Sequence, residues 1–195
     1  HSLLRSLLID LLNDPFYRNI PEHNPNYIFR GIRALSAVER GLPLHIDSVV
    51  PSSGRRPTGI VTSFILEDHF YGNGCTLVVP KTHRSDSYAD RGATDKVIAV
   101  LANAGDIVLW DTRLWHGTAD NPKRKSRLSL LCTFTSWHLK QPLCHYETLP
   151  DHIYKELTDE EKSVIGFCSI PPRENLPSHT DSKFGYEYLA DKANF

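Results

Sequence analysis

The sequence predicts a mainly β chain, an antiparallel double-sheet jelly roll with helical material flanking it at both ends. Seven or eight short apolar runs recur at intervals of about 10–15 residues and close on Gly, Pro or Asn turns. The links between them are too short and too poor in helical periodicity for repeated βαβ units. The 13 Pro, 11 Gly, 8 Tyr, 8 Phe and 3 Trp among 195 residues also favour strands broken by tight turns over a helical bundle.

Residues 2–12 place Leu4, Leu7, Leu8, Leu11 and Leu12 on one helical stripe, and Asn13-Asp14-Pro15 stops that helix. Tyr27, Ile28, Phe29, Ile32 and Val38 mark an extended segment over 27–38, followed by a turn at 39–41 and a short strand over 42–47. Pro51 to Pro57 reads as a loop. Residues 59–67 form a strong strand, Tyr71 to Gly74 a turn, and Cys75 to Val79 a strand closed by Pro80. After a polar stretch over 81–95 come strands at 96–101 and 107–111, a polar link at 118–126 and a long β segment at 127–137. Residues 159–166 form a helix with Thr158 or Asp159 as its cap.

Length and composition fit one domain over 1–195, with a core at 27–137 and an extension at 138–195. The formal net charge of -1 argues against a nucleic-acid-binding module and against a polybasic membrane anchor. No apolar run approaches the roughly 18 residues that span a bilayer. Cys75, Cys132, Cys144 and Cys168 show no metal-binding spacing and read as free thiols, pointing to a cytoplasmic protein. Of the ten histidines, His1, His23, His69, His152 and His179 sit in polar or turn-like contexts and need no function.

Two histidines stand out by their neighbours. In Leu42-Pro43-Leu44-His45-Ile46-Asp47, the two-residue period of a strand puts His45 and Asp47 on one face. His116 follows the apolar run from Gly105, and Gly117 beside it permits close approach of another group. Together they make a two-histidine, one-carboxylate set, the facial triad of nonheme Fe(II) oxygenases; the ligand types alone do not exclude zinc. Arg127 opens the strand after His116 and shares a face with Ser129. If that strand neighbours the one ending at His116, Arg127 faces inward and needs a buried anionic partner, which a dicarboxylate cosubstrate supplies. Thr118 adds a hydroxyl two residues after His116.

Four pieces carry a family resemblance: Leu44-His45-Ile46-Asp47; Asn73-Gly74-Cys75 through Val79-Pro80-Lys81-Thr82-His83-Arg84; Gly105-Asp106-Ile107-Val108-Leu109-Trp110-Asp111; and His116-Gly117-Thr118 with Arg127. In order and spacing the chain resembles the phytanoyl-CoA dioxygenase family of Fe(II)/2-oxoglutarate-dependent oxygenases. The resemblance implies a double-stranded β-helix of cupin-like type. It implies that His45, Asp47 and His116 bind Fe(II), that Arg127 takes the distal carboxylate of 2-oxoglutarate, and that Thr118 assists. Arg30 and Arg33 are candidates for a polar contact that family members carry nearer their N-terminus. Trp110, Trp115 and Trp137 are candidates to line or back the pocket, and Ser129 is a further candidate contact. His83 and Arg84 resemble the motif that buttresses the loop after the third core strand. Ile46 departs from the polar residue often found between the first His and the Asp, so an acyl-CoA substrate is not carried over.

The implied reaction uses Fe(II), 2-oxoglutarate and O2 to hydroxylate an unactivated C–H bond of a small organic molecule, such as a natural-product intermediate. Asp47 occupies the position that related halogenases leave open for chloride, which argues against halogenation. Alternatives are desaturation, epimerisation or ring formation with the same cofactors, a non-oxidative zinc or manganese cupin-like enzyme, or a noncatalytic β-roll in which the three ligands do not converge.

Overall fold

A computed structural model describes residues 1–15 and 24–170. The remainder of the extension, 171–195, and with it His179, lies outside the described residues, as does His23. Helix α1 (Ser2–Leu12) is followed by strands β1 (Ile28–Ser36), β2 (Gly59–Ile65), β3 (Thr76–Val78), β4 (Ile98–Val100), β5 (Ile107–Asp111), β6 (His116–Thr118) and β7 (Leu128–Thr135). Helices α2 (His145–Thr148), α3 (Asp151–Glu156) and α4 (Asp159–Lys162) follow. The strands form two sheets, ordered β1-β7-β2-β5 and β4-β3-β6. β2 pairs antiparallel with β5, and β3 pairs antiparallel with both β4 and β6.

The chain divides into two compact units, one of His1–Gly31 with the chain from Phe134 onward, the other of Ile32–Thr133. In the first, α1 buries Leu8 and Leu12, whereas Leu7 of the expected stripe is exposed. Asn13 and Asn26 end that helix jointly: Asn26 N–H donates to Asn13 Oδ1, and the Asn26 side chain both accepts from Asp14 N–H and donates to its carbonyl. Trp137 packs on Ile28 and Cys168, and its indole donates to Asp14. Thr158 caps α4 in a reciprocal box with Glu161, and the helix widens into a π turn over Ser163–Phe167. The short helices α2 and α3 carry no apolar stripe long enough to announce them.

In the second unit, β2 is buried along nearly its whole length, Thr62 and Ser63 included. Two departures from expectation shape the site. Residues 42–47 are not a strand: Pro43 removes one ladder donor, and the segment pairs through a single antiparallel bridge between His45 and His116. And β7 lies between β1 and β2, so the strand opened by Arg127 neighbours β2, not β5. All four cysteines are free, and Cys75, Cys132 and Cys168 are buried. No described helix is long and apolar enough to cross a membrane.

Candidate metal centre and anion pocket

The segment carrying the first histidine is clamped to β6 at two points. His45 N–H donates to the His116 carbonyl at 2.8 Å and His116 N–H returns to His45 at 2.9 Å. Two residues on, Thr118 N–H donates to the Leu42 carbonyl at 3.1 Å, and the Thr118 hydroxyl accepts from Leu42 N–H at 2.8 Å. Asp47 N–H then turns away to the Thr112 carbonyl at 2.8 Å. Leu44 and Trp115, the residues preceding the two histidines, join one apolar cluster with Val79 and Ala93. The loop after β3 is stitched to the same place: Thr82 accepts from Trp115 N–H at 2.9 Å and donates to the Val79 carbonyl at 2.7 Å. Thr82 thus ties the Val79–Arg84 segment to the residue before His116, a role that its hydroxyl in a Lys-Thr-His-Arg stretch does not announce in the sequence.

Gly117 sits between the two clamps. A Cβ there would lie 2.5 Å from the Leu42 carbonyl oxygen and 3.2 Å from the Pro43 carbonyl. Gly117→Ala must therefore push the His45 segment off β6. The expected result is a loss of about 1–3 kcal/mol in denaturant unfolding, together with weaker divalent-metal binding by titration. Unchanged values in both would show that the close approach has no role.

The three side chains converge. His116 Nε2 lies 3.2 Å from Asp47 Oδ2, His45 Nε2 lies 3.8 Å from Asp47 Oδ1, and all three ligand atoms fall within 4.8 Å of one another. Two donors at right angles around an ion with bonds of about 2.1 Å stand about 3.0 Å apart, so the set is near coordinating geometry. Each histidine points its other nitrogen at a backbone carbonyl, His45 Nδ1 to Pro43 at 3.0 Å and His116 Nδ1 to Leu114 at 2.9 Å. A neutral imidazole holds one proton. With Nδ1–H given to the carbonyl, Nε2 presents a lone pair, the arrangement that orients metal-bound histidines.

Burial pushes the Asp47 carboxyl up, but the hydrogen bond and charge of His116, then His45 and the Trp110 indole, outweigh it and hold the group below its ordinary value. Asp47 is thus ionised, as a ligand must be. Trp110, on β5, covers the buried side: its ring centroid is 5.4 Å from that of His116. The His45 and Asp47 side chains are 39% and 33% exposed against 7% for His116, so the centre opens to solvent on their side. Arg113 fixes the loop that follows Asp47, donating to the Gly54 carbonyl at 2.6 Å while paired with Asp111 at 2.7 Å.

Arg127 is 5% exposed. It enters no ion pair among the described residues, and its Nε has no hydrogen-bond partner. Burial lowers its pKa, and the neighbouring Cys75 is the one charge that opposes this. Yet burial pushes the Cys75 thiol up, so it stays protonated and supplies no counter-charge. Ser129, fully buried two residues along β7, also has an unpartnered hydroxyl. A buried guanidinium nitrogen and hydroxyl left this way each carry a desolvation cost in the ligand-free protein. Register places the neighbouring Cys75. Thr76 pairs with Thr118 and Val78 with His116, so Cys75 lies beyond the Thr118 end of β6.

Other named residues fall elsewhere. Arg33 is exposed on β1, and Arg30 belongs to the first unit, as does Trp137. The Trp115 indole donates to the Ser87 carbonyl.

His69 departs from the sequence reading. It is 3% exposed, not turn-like and solvated. Burial, and then the charge of Arg127, lowers its pKa to about 4. The unfolded chain protonates this group near 6.5 and the folded chain does not, so the folded state is favoured above that pH. The contribution falls away as pH drops from about 6.5 towards 4, amounting to about 3 kcal/mol. Unfolding midpoints of the ligand-free protein at pH 7 and pH 5 should therefore differ more in wild type than in His69→Phe. Equal differences would refute the burial effect.

Antiparallel sheets carrying two histidines and a carboxylate at a half-open centre define a class, the cupin-like double-stranded β-helix with a facial-triad metal site. A profile of the phytanoyl-CoA dioxygenase (PhyH) family matches residues 3–129, and the chain belongs to that family. It is 29% identical over 101 residues to the dioxygenase af480 of Aspergillus fumigatus, covering 50% of this chain and 33% of that protein. It is 24% identical over 186 residues to the dioxygenase cdmA of Talaromyces verruculosus, covering 91% of this chain and 62% of that protein. The chain thus spans between a third and 62% of the length of these two relatives. The crystal structure of AviO1 from Streptomyces viridochromogenes superimposes with a TM-score of 0.54 at 23% identity, covering 69% of this chain and 56% of that one, and shares the fold.

Proposed function

We propose that the chain is an Fe(II)/2-oxoglutarate-dependent dioxygenase that hydroxylates a C–H bond of a small organic molecule. Fe(II) and 2-oxoglutarate are the pair typical of the family. The observation that carries the reading is Arg127, a buried guanidinium with no acidic partner among the described residues, in the same unit as the His45–Asp47–His116 set. A non-oxidative zinc enzyme has no use for such a group. A noncatalytic module is disfavoured by the convergence of the three ligands.

In this reading His45 Nε2, His116 Nε2 and the Asp47 carboxylate hold the metal, and Arg127 receives the distal carboxylate of 2-oxoglutarate in a bidentate, charge-assisted contact. Ser129 adds a hydroxyl. Thr118 spends its oxygen on Leu42 N–H and retains its own proton to donate. Bound there, iron with O2 supplies oxidative decarboxylation of 2-oxoglutarate to succinate and CO2, one oxygen atom entering succinate and the other the substrate. Trp110 shields the buried side. Substrate approaches across His45 and Asp47, past the exposed Val49 and Val50, which suit an apolar molecule. Asp47 fills the coordination position a halide would need, so oxygen and not chlorine is transferred.

The test is mass spectrometry of products formed with Fe(II), 2-oxoglutarate, 18O2 and excess chloride from a panel of apolar small molecules. A product heavier by one labelled oxygen is expected. A chlorinated product would overturn the reaction type. Loss of two hydrogens without oxygen gain would move it to desaturation or ring closure.

A further inference from the structure

We propose that His69 donates a hydrogen bond from Nε2 to the same carboxylate that Arg127 receives, so that the anion pocket is built from one cation and one neutral donor. The inference rests on the cosubstrate reading above and adds to it a residue outside the motifs that define the family resemblance.

Three observations converge on His69. Its backbone is fixed by a bridge to Ala102: His69 N–H donates to the Ala102 carbonyl at 2.7 Å, and the His69 carbonyl accepts from Ala102 N–H at 3.2 Å. That bridge holds the residue without using its side chain. The segment around it lies along the start of β7: Leu66 and Glu67 N–H both donate to the Leu128 carbonyl, Ser126 donates to Glu67, and Lys125 sits over the Phe70 ring. His69 is thereby held against the stretch that carries Arg127. Finally, its Nε2 is buried without a hydrogen-bond partner among the described residues, as are Arg127 Nε and Ser129 Oγ. Three unpartnered polar groups in one neighbourhood each carry a desolvation cost that one shared ligand would offset.

The chemistry selects the ligand. The charge of Arg127 excludes a cation. His69 is held neutral beside it, with a pKa near 4, so it adds a donor without adding charge. Cys75 remains a thiol. One positive charge with neutral donors around it matches one carboxylate. The charges nearest in sequence to His69 are Glu67, engaged by Ser126, and Asp68, which accepts from Ala104 N–H; neither satisfies Nε2.

The experiment is calorimetric titration of 2-oxoglutarate into the Zn(II)-loaded protein, comparing wild type with His69→Phe, His69→Gln and Arg127→Ala. His69→Phe is expected to bind 2-oxoglutarate about tenfold more weakly, the effect of losing one hydrogen bond to a charged group. Its Zn(II) affinity should be unchanged and its unfolding midpoint at pH 7 not lowered, since an apolar ring replaces an unpartnered nitrogen. His69→Gln, whose amide can donate, should stay within about threefold of wild type. Wild-type affinity in His69→Phe together with weak binding in Arg127→Ala would overturn the role of His69 alone. Wild-type affinity in Arg127→Ala would overturn the cosubstrate reading itself. Should His69→Phe not fold, nitrogen NMR of the wild-type protein decides: the His69 Nε2–H resonance is expected to shift on adding 2-oxoglutarate, and an unmoved resonance overturns the proposal.

Discussion

The Asp47→Ala protein is expected to fold and to lose its divalent metal, with affinity reduced more than about 100-fold. Removing groups that merely orient metal ligands costs about 10–100-fold, and Asp47 is itself a ligand and the one that carries charge. Its side chain is a third exposed, so truncation leaves no buried cavity. His116→Ala should lose metal equally but also stability, because His116 is buried between Trp110 and His45. Equilibrium titration with Mn(II), alongside denaturant unfolding, separates the two effects. Metal binding by Asp47→Ala at wild-type strength would remove the carboxylate from the centre.

Arg127→Ala should weaken 2-oxoglutarate binding about 100-fold or more while leaving metal binding intact. A guanidinium cannot ligate the ion, and truncating one partner of a buried charge pair costs about 2–5 kcal/mol. Folding stability should move the other way when Arg127 is replaced by an apolar residue of similar size. In the ligand-free protein this guanidinium is a buried charge without an ion-pair partner among the described residues, and Arg127→Met should raise stability by about 1–4 kcal/mol. A substitution that stabilises the protein and abolishes cosubstrate binding marks a group retained for its ligand. Calorimetry and unfolding on the same preparation measure both. A destabilised Arg127→Met protein with undiminished 2-oxoglutarate affinity would make Arg127 structural.

Local patterns in the sequence announce β2, β5 and β7, because a short run rich in β-branched and apolar residues between turn residues has few other uses. The pairing of His45 with Asp47 was read from strand parity, yet residues 42–47 make one bridge and no strand. The side chains meet because the backbone is clamped at Leu42 and His45 and then turns to Thr112, a long-range arrangement that parity alone does not contain. The sequence places Arg127 inward only if its strand neighbours β5. It is buried, but beside β2, because strand order depends on tertiary pairing and not on sequence adjacency. His69 has no local signal of burial, because Asp68 and Gly72 around it read as a turn. Its burial comes from pairing with Ala102, 33 residues away, for which no local signal exists.

The most direct measurement is a crystal structure of the Mn(II)-loaded protein with 2-oxoglutarate, prepared without oxygen. It is expected to show the metal bound by His45 Nε2, His116 Nε2 and the Asp47 carboxylate, with the distal carboxylate of 2-oxoglutarate on the Arg127 guanidinium. A metal held by other residues, or 2-oxoglutarate bound with Arg127 still unpartnered, would contradict the assignment.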